Sequence, residues 1–191
     1  IPVEPLSVKQ ALRTPADDRM LADDVFREQL TNSLAIPTVD FASYDIVYLA
    51  GGWGAAFDLG QSDALGAGIS AANAAGRVIG GICHGPLGLL RARRADGELL
   101  VKGRRLTAVT DAQVNQLGVS ITPLHPESAL RAAGALFESA KHPIRDFFAN
   151  HFVVDGDLVT GQNQNAGPMV ARLMMQRVAD QQSTHRKGTM S

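Results

Sequence analysis

Short, continuous apolar runs alternate along this chain with longer stretches of helical spacing. Tyr44-Asp45-Ile46-Val47-Tyr48-Leu49-Ala50 is one such run, closed by Gly51-Gly52. Val78-Ile79-Gly80-Gly81-Ile82 is a second, and Leu106-Thr107-Ala108-Val109 is a third. Apolar runs of about four to eight residues bounded by turn signals are the pattern of strands buried on both faces. Between the first two, Ser62 caps a predicted helix that reaches Ala75, with Gly76 as its stop. The second strand runs straight into Cys83, and a helix is predicted over residues 86–91.

The remaining elements follow from similar signals. Thr14-Pro15 reads as an N-cap followed by proline at the first helical position, with a helix through residues 26–30. Asp96-Gly97-Glu98 and Lys102-Gly103-Arg104 are turn signals. Residues 111–117 and 128–133 form short predicted helices, the second stopped by Gly134 and followed by a strand over 135–138. Residues 151–154 and 158–160 flank Asp155-Gly156-Asp157, a hairpin signature. A closing helix spans 166–179, residues 1–13 read as an extended arm, and residues 181–191 as a polar tail.

Strands alternating with helices predict a single α/β domain over residues 1–180. The expected architecture is a flavodoxin-like layered sandwich with a mostly parallel sheet and helices on both faces. Ligands of such sheets bind beyond the carboxyl ends of the strands. The Gly51-Gly52 turn and Cys83 both fall at such ends.

Composition narrows the function classes. Hydrophobic residues make up 45% and charged residues 19% of the 191, a globular balance that excludes disorder. Net charge is -1, and the basic stretches at 91–94 and 102–105 are short and without aromatics. Nucleic-acid binding is therefore not expected. No apolar run approaches the roughly 18–20 residues of a membrane span. The single cysteine excludes an internal disulfide and a thiolate zinc cluster, and suits a reducing, cytoplasmic setting. His142, His151 and His185 lack partners at metal-ligand spacing, so neither a metal nor another cofactor is expected. The sequence starts at Ile1 and not at methionine, as in a processed or partial product.

Cys83 carries the candidate chemistry. A thiol is a poor nucleophile until ionised. A helix start favours the thiolate, and a neighbouring imidazole shuttles its proton. Gly81-Ile82-Cys83-His84-Gly85 supplies these features in the form of a nucleophile elbow, with cysteine in the serine position. The amides of Gly52 and His84 are the expected oxyanion donors. Trp53, after the glycine turn, reads either as a pocket wall or as core packing. His125-Pro126-Glu127 reads first as turn and cap chemistry and second as a substrate contact. Asn163, within Gln162-Asn163-Gln164-Asn165, either caps the following helix or lines the pocket rim with Gly51 and Trp53.

These motifs resemble the DJ-1/PfpI superfamily, the class I glutamine-amidotransferase-like fold, over about residues 37–180. The matching pieces are Tyr44-Asp45, Gly51-Gly52-Trp53-Gly54, Asp58-Leu59, Gly81-Ile82-Cys83-His84-Gly85-Pro86, Val153-Asp155-Gly156 and the run from Leu158 to Asn163. They are most similar to the heat-shock chaperone-like, glutathione-independent glyoxalase (glyoxalase III) branch. The resemblance implies a homodimer that converts a small α-oxoaldehyde, methylglyoxal, to lactate without cofactor. Cys83 would be the nucleophile and His84 the proton shuttle. It also implies a carboxylate that orients the histidine, for which Asp111 is the candidate, with a helix N-cap as its alternative role. A further glutamate comes, in the family, from an N-terminal strand-helix segment that residues 1–36 do not resemble. Either a second chain or a removed segment would supply it, or activity would be impaired. Two other functions compete. One is a stress chaperone or redox sensor built on Cys83. The other is a cysteine amidase or glutamine amidotransferase-like hydrolase, against which the adjacent His84 argues.

Overall fold

The computed structural model describes residues 14–116, 118, 121–144 and 146–188. The arm predicted over residues 1–13 lies outside them. The chain divides into two compact units, Ile1–Val39 and Asp40–Ser191. In the first unit, α1 (Pro15–Ala22) starts from a capping box. The Asp17 amide donates to Thr14 Oγ1 at 3.3 Å and the Thr14 amide to Asp17 Oδ2 at 2.7 Å. The single helix predicted there is two. Asp23 leaves the helical region, and its side chain accepts the Phe26 amide at 2.9 Å to start α2 (Asp24–Thr31).

The second unit holds β1 (Ile46–Leu49), α3 (Ala55–Asp58), α4 (Asp63–Ala74), β2 (Val78–Ile82) and β3 (Arg105–Leu106). After these come α5 (Asp111–Gln116), α6 (Pro126–Ala132), β4 (Leu136–Phe137), β5 (Phe152–Asp155), β6 (Leu158–Gly161) and α7 (Gly167–Gly188). The main sheet has the order β1-β2-β6-β5. Its first three strands are parallel, and β5 pairs antiparallel with β6 through the predicted hairpin. The carboxyl ends of β1, β2 and β6 therefore meet at one edge of the layer, which is where Cys83 sits.

Alternation along the strands divides the core. Val78 and Val159 face α7 and pack with Ala166, Val170 and Met174, with Ile46 at the margin. Val47 and Leu49 are buried on the other face, where Leu65 of α4 closes over the Gly85–Leu89 turn. Each such fully buried side chain contributes about 1.5–3 kcal/mol relative to exposure.

Of the third predicted strand, residues 106–109, only Leu106 lies in a ladder, where β3 pairs with β4. Beyond it, side chains of the β5–β6 hairpin and other segments replace ladder partners. The Thr107 amide donates to the buried Thr160 hydroxyl at 2.8 Å. Asp155 accepts the Arg105 amide at 2.9 Å and Arg104 Nε at 2.8 Å. α7 continues to Gly188 through residues predicted as a tail. The reason is polar support: Gln176 bonds Asp180 at 2.9 Å, and Gln181 donates to the Gly76 carbonyl at 3.0 Å.

Thr160→Val keeps the shape of the side chain and removes an acceptor, stranding the buried Thr107 amide. Urea denaturation should show a loss of about 1–3 kcal/mol.

Candidate active site

Among the described residues Cys83 is the one non-glycine residue with positive φ, at 58°. That conformation costs an L-residue roughly 1–2 kcal/mol. It is held from both sides: the Cys83 amide donates to the Gly161 carbonyl at 3.0 Å, and the Cys83 carbonyl accepts the Val109 amide at 3.0 Å. The turn after β1 presses against it. A Cβ added to Gly51 would lie 2.7 Å from Cys83 Cβ and 2.8 Å from the Ile82 carbonyl oxygen. Only glycine allows this approach.

The helix predicted over residues 86–91 is instead a fully buried 3-10 turn, Gly85–Leu89. A single short turn contributes little axial dipole. The electrostatics of the thiol follow from this. Burial pushes the Cys83 thiol up, and hydrogen bonds from the Gly52 and His84 amides offset part of that rise. Gly52 sits at φ 112°, a backbone open to glycine. The two amides expected at an oxyanion site are thus the two that reach the sulfur.

His84 Nδ1 lies 3.4 Å from Cys83 Sγ. The ring is 2% exposed, and its pKa falls to about 4, first from burial and then from the charge of nearby His125. Its Nε2 is buried and has no partner among the described residues.

Asp111 lies elsewhere in the network. Its carboxylate accepts the Ser128 hydroxyl and, at 3.4 Å, the Ser128 amide in the first turn of α6. Its Oδ1 stands 3.7 Å from His125 Nδ1. In return Glu127 Oε2 accepts the Asp111 amide at 3.1 Å, so α5 and α6 cap each other. The local cap of α5 is Thr110, whose hydroxyl accepts the Gln113 amide at 3.1 Å while Gln113 Oε1 accepts the Thr110 amide at 3.0 Å. The T-x-x-Q spacing at 110–113 is a capping-box signature that would have revealed this.

Trp53 packs edge-on against Phe57 with ring centroids 5.3 Å apart, and its buried indole N–H has no partner among the described residues. Asn163 is fully buried, donating to the Ala149 carbonyl at 2.7 Å and accepting the Asn165 amide at 2.9 Å as a cap. The structure therefore brings Gly51, Gly52, Cys83 and His84 together. It places His125 and Asp111 at the flank, beside an open depression of about 540 Å³ lined by Asp111, Asn115, Leu124, His125, Ser128 and Ala129. Among the described residues no three His, Cys, Asp or Glu side chains cluster as a metal site. No helix among them is long and apolar enough to cross a membrane.

A mostly parallel α/β sandwich with a strained cysteine beyond an interior strand is a flavodoxin-like cysteine-elbow protein. The chain belongs to the DJ-1/PfpI family, whose model matches residues 7–177. The match reaches into residues 7–36, which the motifs alone leave unassigned. The chain is 29% identical over 152 residues to a probable glutathione-independent glyoxalase of Schizosaccharomyces pombe, covering 77% of this chain and 67% of the relative. Across the curated relatives it matches, it spans between 58% and 68% of their length. Its fold superposes on the Rapid Encystment Protein 24 kDa of Francisella tularensis with a TM-score of 0.83 at 26% identity, covering 93% of this chain and 76% of that one. Glyoxalase III from Candida albicans has the same fold, with a TM-score of 0.81 at 24% identity and coverage of 92% and 75%.

Gly51→Ala forces a methyl into the elbow. Thermal unfolding should show a loss of about 1–3 kcal/mol, and iodoacetamide should alkylate Cys83 more slowly. A second expectation concerns pH. The unfolded chain protonates His84 near its ordinary value, and the folded chain only near pH 4. Between these values the unfolded state binds more protons, so this contribution to stability is complete above about pH 6.5 and falls as pH drops toward 4. The slope approaches 1.4 kcal/mol per pH unit, roughly. Denaturation at stepped pH should show it in the wild type and not in His84→Gln.

Proposed function

We propose that the chain is a glutathione-independent glyoxalase that converts methylglyoxal to lactate, with Cys83 as the nucleophile. The observation that carries this reading is the convergence on one sulfur of His84 Nδ1 at 3.4 Å and the amides of Gly52 and His84. The name of the S. pombe relative supports the choice of substrate.

The geometry suits the following sequence. Cys83 Sγ attacks the aldehyde carbon as its proton passes to His84 Nδ1, and the developing oxyanion accepts the Gly52 and His84 amides. His84 passes that proton on to the oxyanion, giving the neutral hemithioacetal, and the freed Nδ1 then accepts the hydrogen of the hemithioacetal carbon as a proton, giving an enediolate. Return of a proton to the neighbouring carbon yields a thioester. Water cleaves it, releasing lactate and the thiol. The oxidation of one carbon is matched by reduction of its neighbour, so the balance needs water alone. A neutral His84 is the form that accepts a proton, and burial keeps it neutral at physiological pH.

A thiol pushed up by burial weighs against the redox-sensor reading, because oxidation follows thiolate character. In the proposed role the proton leaves the sulfur only as the substrate carbon arrives. A reducing, cytoplasmic setting, where the lone cysteine stays a thiol, fits the same role.

Purified protein should form lactate from methylglyoxal without added glutathione, and Cys83→Ala should reduce the rate to that of buffer. His84→Gln should lower kcat by about 10²–10⁴. Lactate formation unchanged in Cys83→Ala would sink the proposal.

A further inference from the structure

A second crevice, of about 210 Å³, lies at the other end of the sheet from Cys83, at the amino ends of β2 and β6. Its floor is apolar: Ile79, Leu100 and Leu158 are each at most 3% exposed. Its rim is polar and carries Asn73, Arg77, Arg104 and Asp157.

The fold uses only part of that rim. Arg104 Nε donates to Asp155 Oδ2 at 2.8 Å and its Nη2 to the Asp155 carbonyl, which leaves Nη1 without a partner among the described residues. Arg77 Nε donates to the Ala42 carbonyl at 2.8 Å and its Nη1 stands 3.5 Å from Asp45, which leaves Nη2. Asp157 Oδ1 accepts Arg177 Nη2 at 2.9 Å, which leaves Oδ2. The half-buried Asn73 side-chain amide makes no hydrogen bond among the described residues. Polar groups left idle beside an apolar floor carry a solvation cost that a fitting ligand recovers.

The signs choose the ligand. Each arginine here already faces an aspartate: Arg104 has Asp155, Arg77 has Asp45 and Arg177 has Asp157. The site as a whole is therefore neutral, with idle donors on two guanidinium groups and an idle acceptor on one carboxylate. A simple anion would add an unmatched negative charge beside Asp157. A simple cation would add an unmatched positive charge beside the arginines. A zwitterion adds neither. The wall at Asn73 is also the last turn of α4, whose negative dipole end favours an ammonium group. The volume is below the roughly 300–1,000 Å³ that drug-sized ligands need, so the ligand is small.

We propose that this crevice binds a small α-amino acid with an aliphatic side chain. Its carboxylate accepts from Arg77 and Arg104, groups whose planar forks match a carboxylate. Its ammonium donates to Asp157, and its side chain rests on Ile79, Leu100 and Leu158. The site shares no residue with the Cys83 elbow, so the proposal stands or falls apart from the glyoxalase reading.

The test is titration calorimetry of the purified protein with three probes: L-valine, isovalerate, which lacks the ammonium group, and isobutylamine, which lacks the carboxylate. L-Valine should bind with a dissociation constant of about 0.1–1 mM. Each truncated probe should bind about tenfold more weakly or worse. Two variants locate the site. Asp157→Asn keeps an oxygen for Arg177 and removes the charge, and Asn73→Leu fills the crevice from its half-buried rim. Each should weaken L-valine binding about tenfold, with the ligand-free melting temperature close to that of the wild type. If Asn73→Leu does not fold, the isosteric Asp157→Asn decides alone. No heat from L-valine up to about 10 mM would overturn the proposal. Isovalerate or isobutylamine binding as tightly as L-valine would overturn it too, since the site would then read a single charge. Undiminished binding to a folded variant would place the ligand elsewhere and have the same effect.

Discussion

The backbone of one residue constrains much of this molecule. Cys83 is held in a left-handed conformation that it would not keep alone, by the Gly161 carbonyl on one side and the Val109 amide on the other. Those two bonds require β6 to lie beside β2, and the segment after β3 to pass over the elbow. They also require Gly51 to be glycine, because the β1 turn must come within van der Waals contact of the cysteine Cβ. Fold and site are therefore one arrangement. The parallel order of β1, β2 and β6 sets three chain ends at one edge, and the strain stored there aims the sulfur at two amides.

Around that point the structure trades charge for burial. His84 is neutral because it is enclosed, and the thiol keeps its proton for the same reason. A resting ion pair would be poorly solvated here. Asp111, the carboxylate expected to orient His84, serves the neighbouring helix and a second imidazole. The interlocked N-termini of α5 and α6 then do two things at once. They satisfy backbone donors, and they hold His125 at the margin of the site.

Much of this was readable beforehand, for local reasons. Val78–Ile82 is a strand with the predicted bounds because five apolar residues between turn signals leave little alternative. Ser62 caps its helix as expected, and Gly51, Gly52, Cys83 and His84 meet because adjacent residues at strand ends have few places to go. What escaped the reading depends on distant partners. The helix after Pro86 became a 3-10 turn because Gly85 and Gly88 pack directly on β1. The strand breaks off after Leu106 because the Thr107 amide turns to the Thr160 hydroxyl, 53 residues away. In the sequence Asp111 reads as a triad member or as a cap of its own helix. Its oxygens in fact cap α6, through an approach that no local pattern records.

The bond from Cys83 to Gly161 has a consequence for synthesis. The elbow lies in the first half of the chain, but the strand that locks it is made near the end. While a ribosome is still translating the middle of the protein, the glycines around Cys83 leave it an ordinary flexible thiol. Long-range parallel pairing is also slow to form. The elbow is thus completed only when β6 docks, and a chain interrupted before that point carries the cysteine without the bond that holds its left-handed bend.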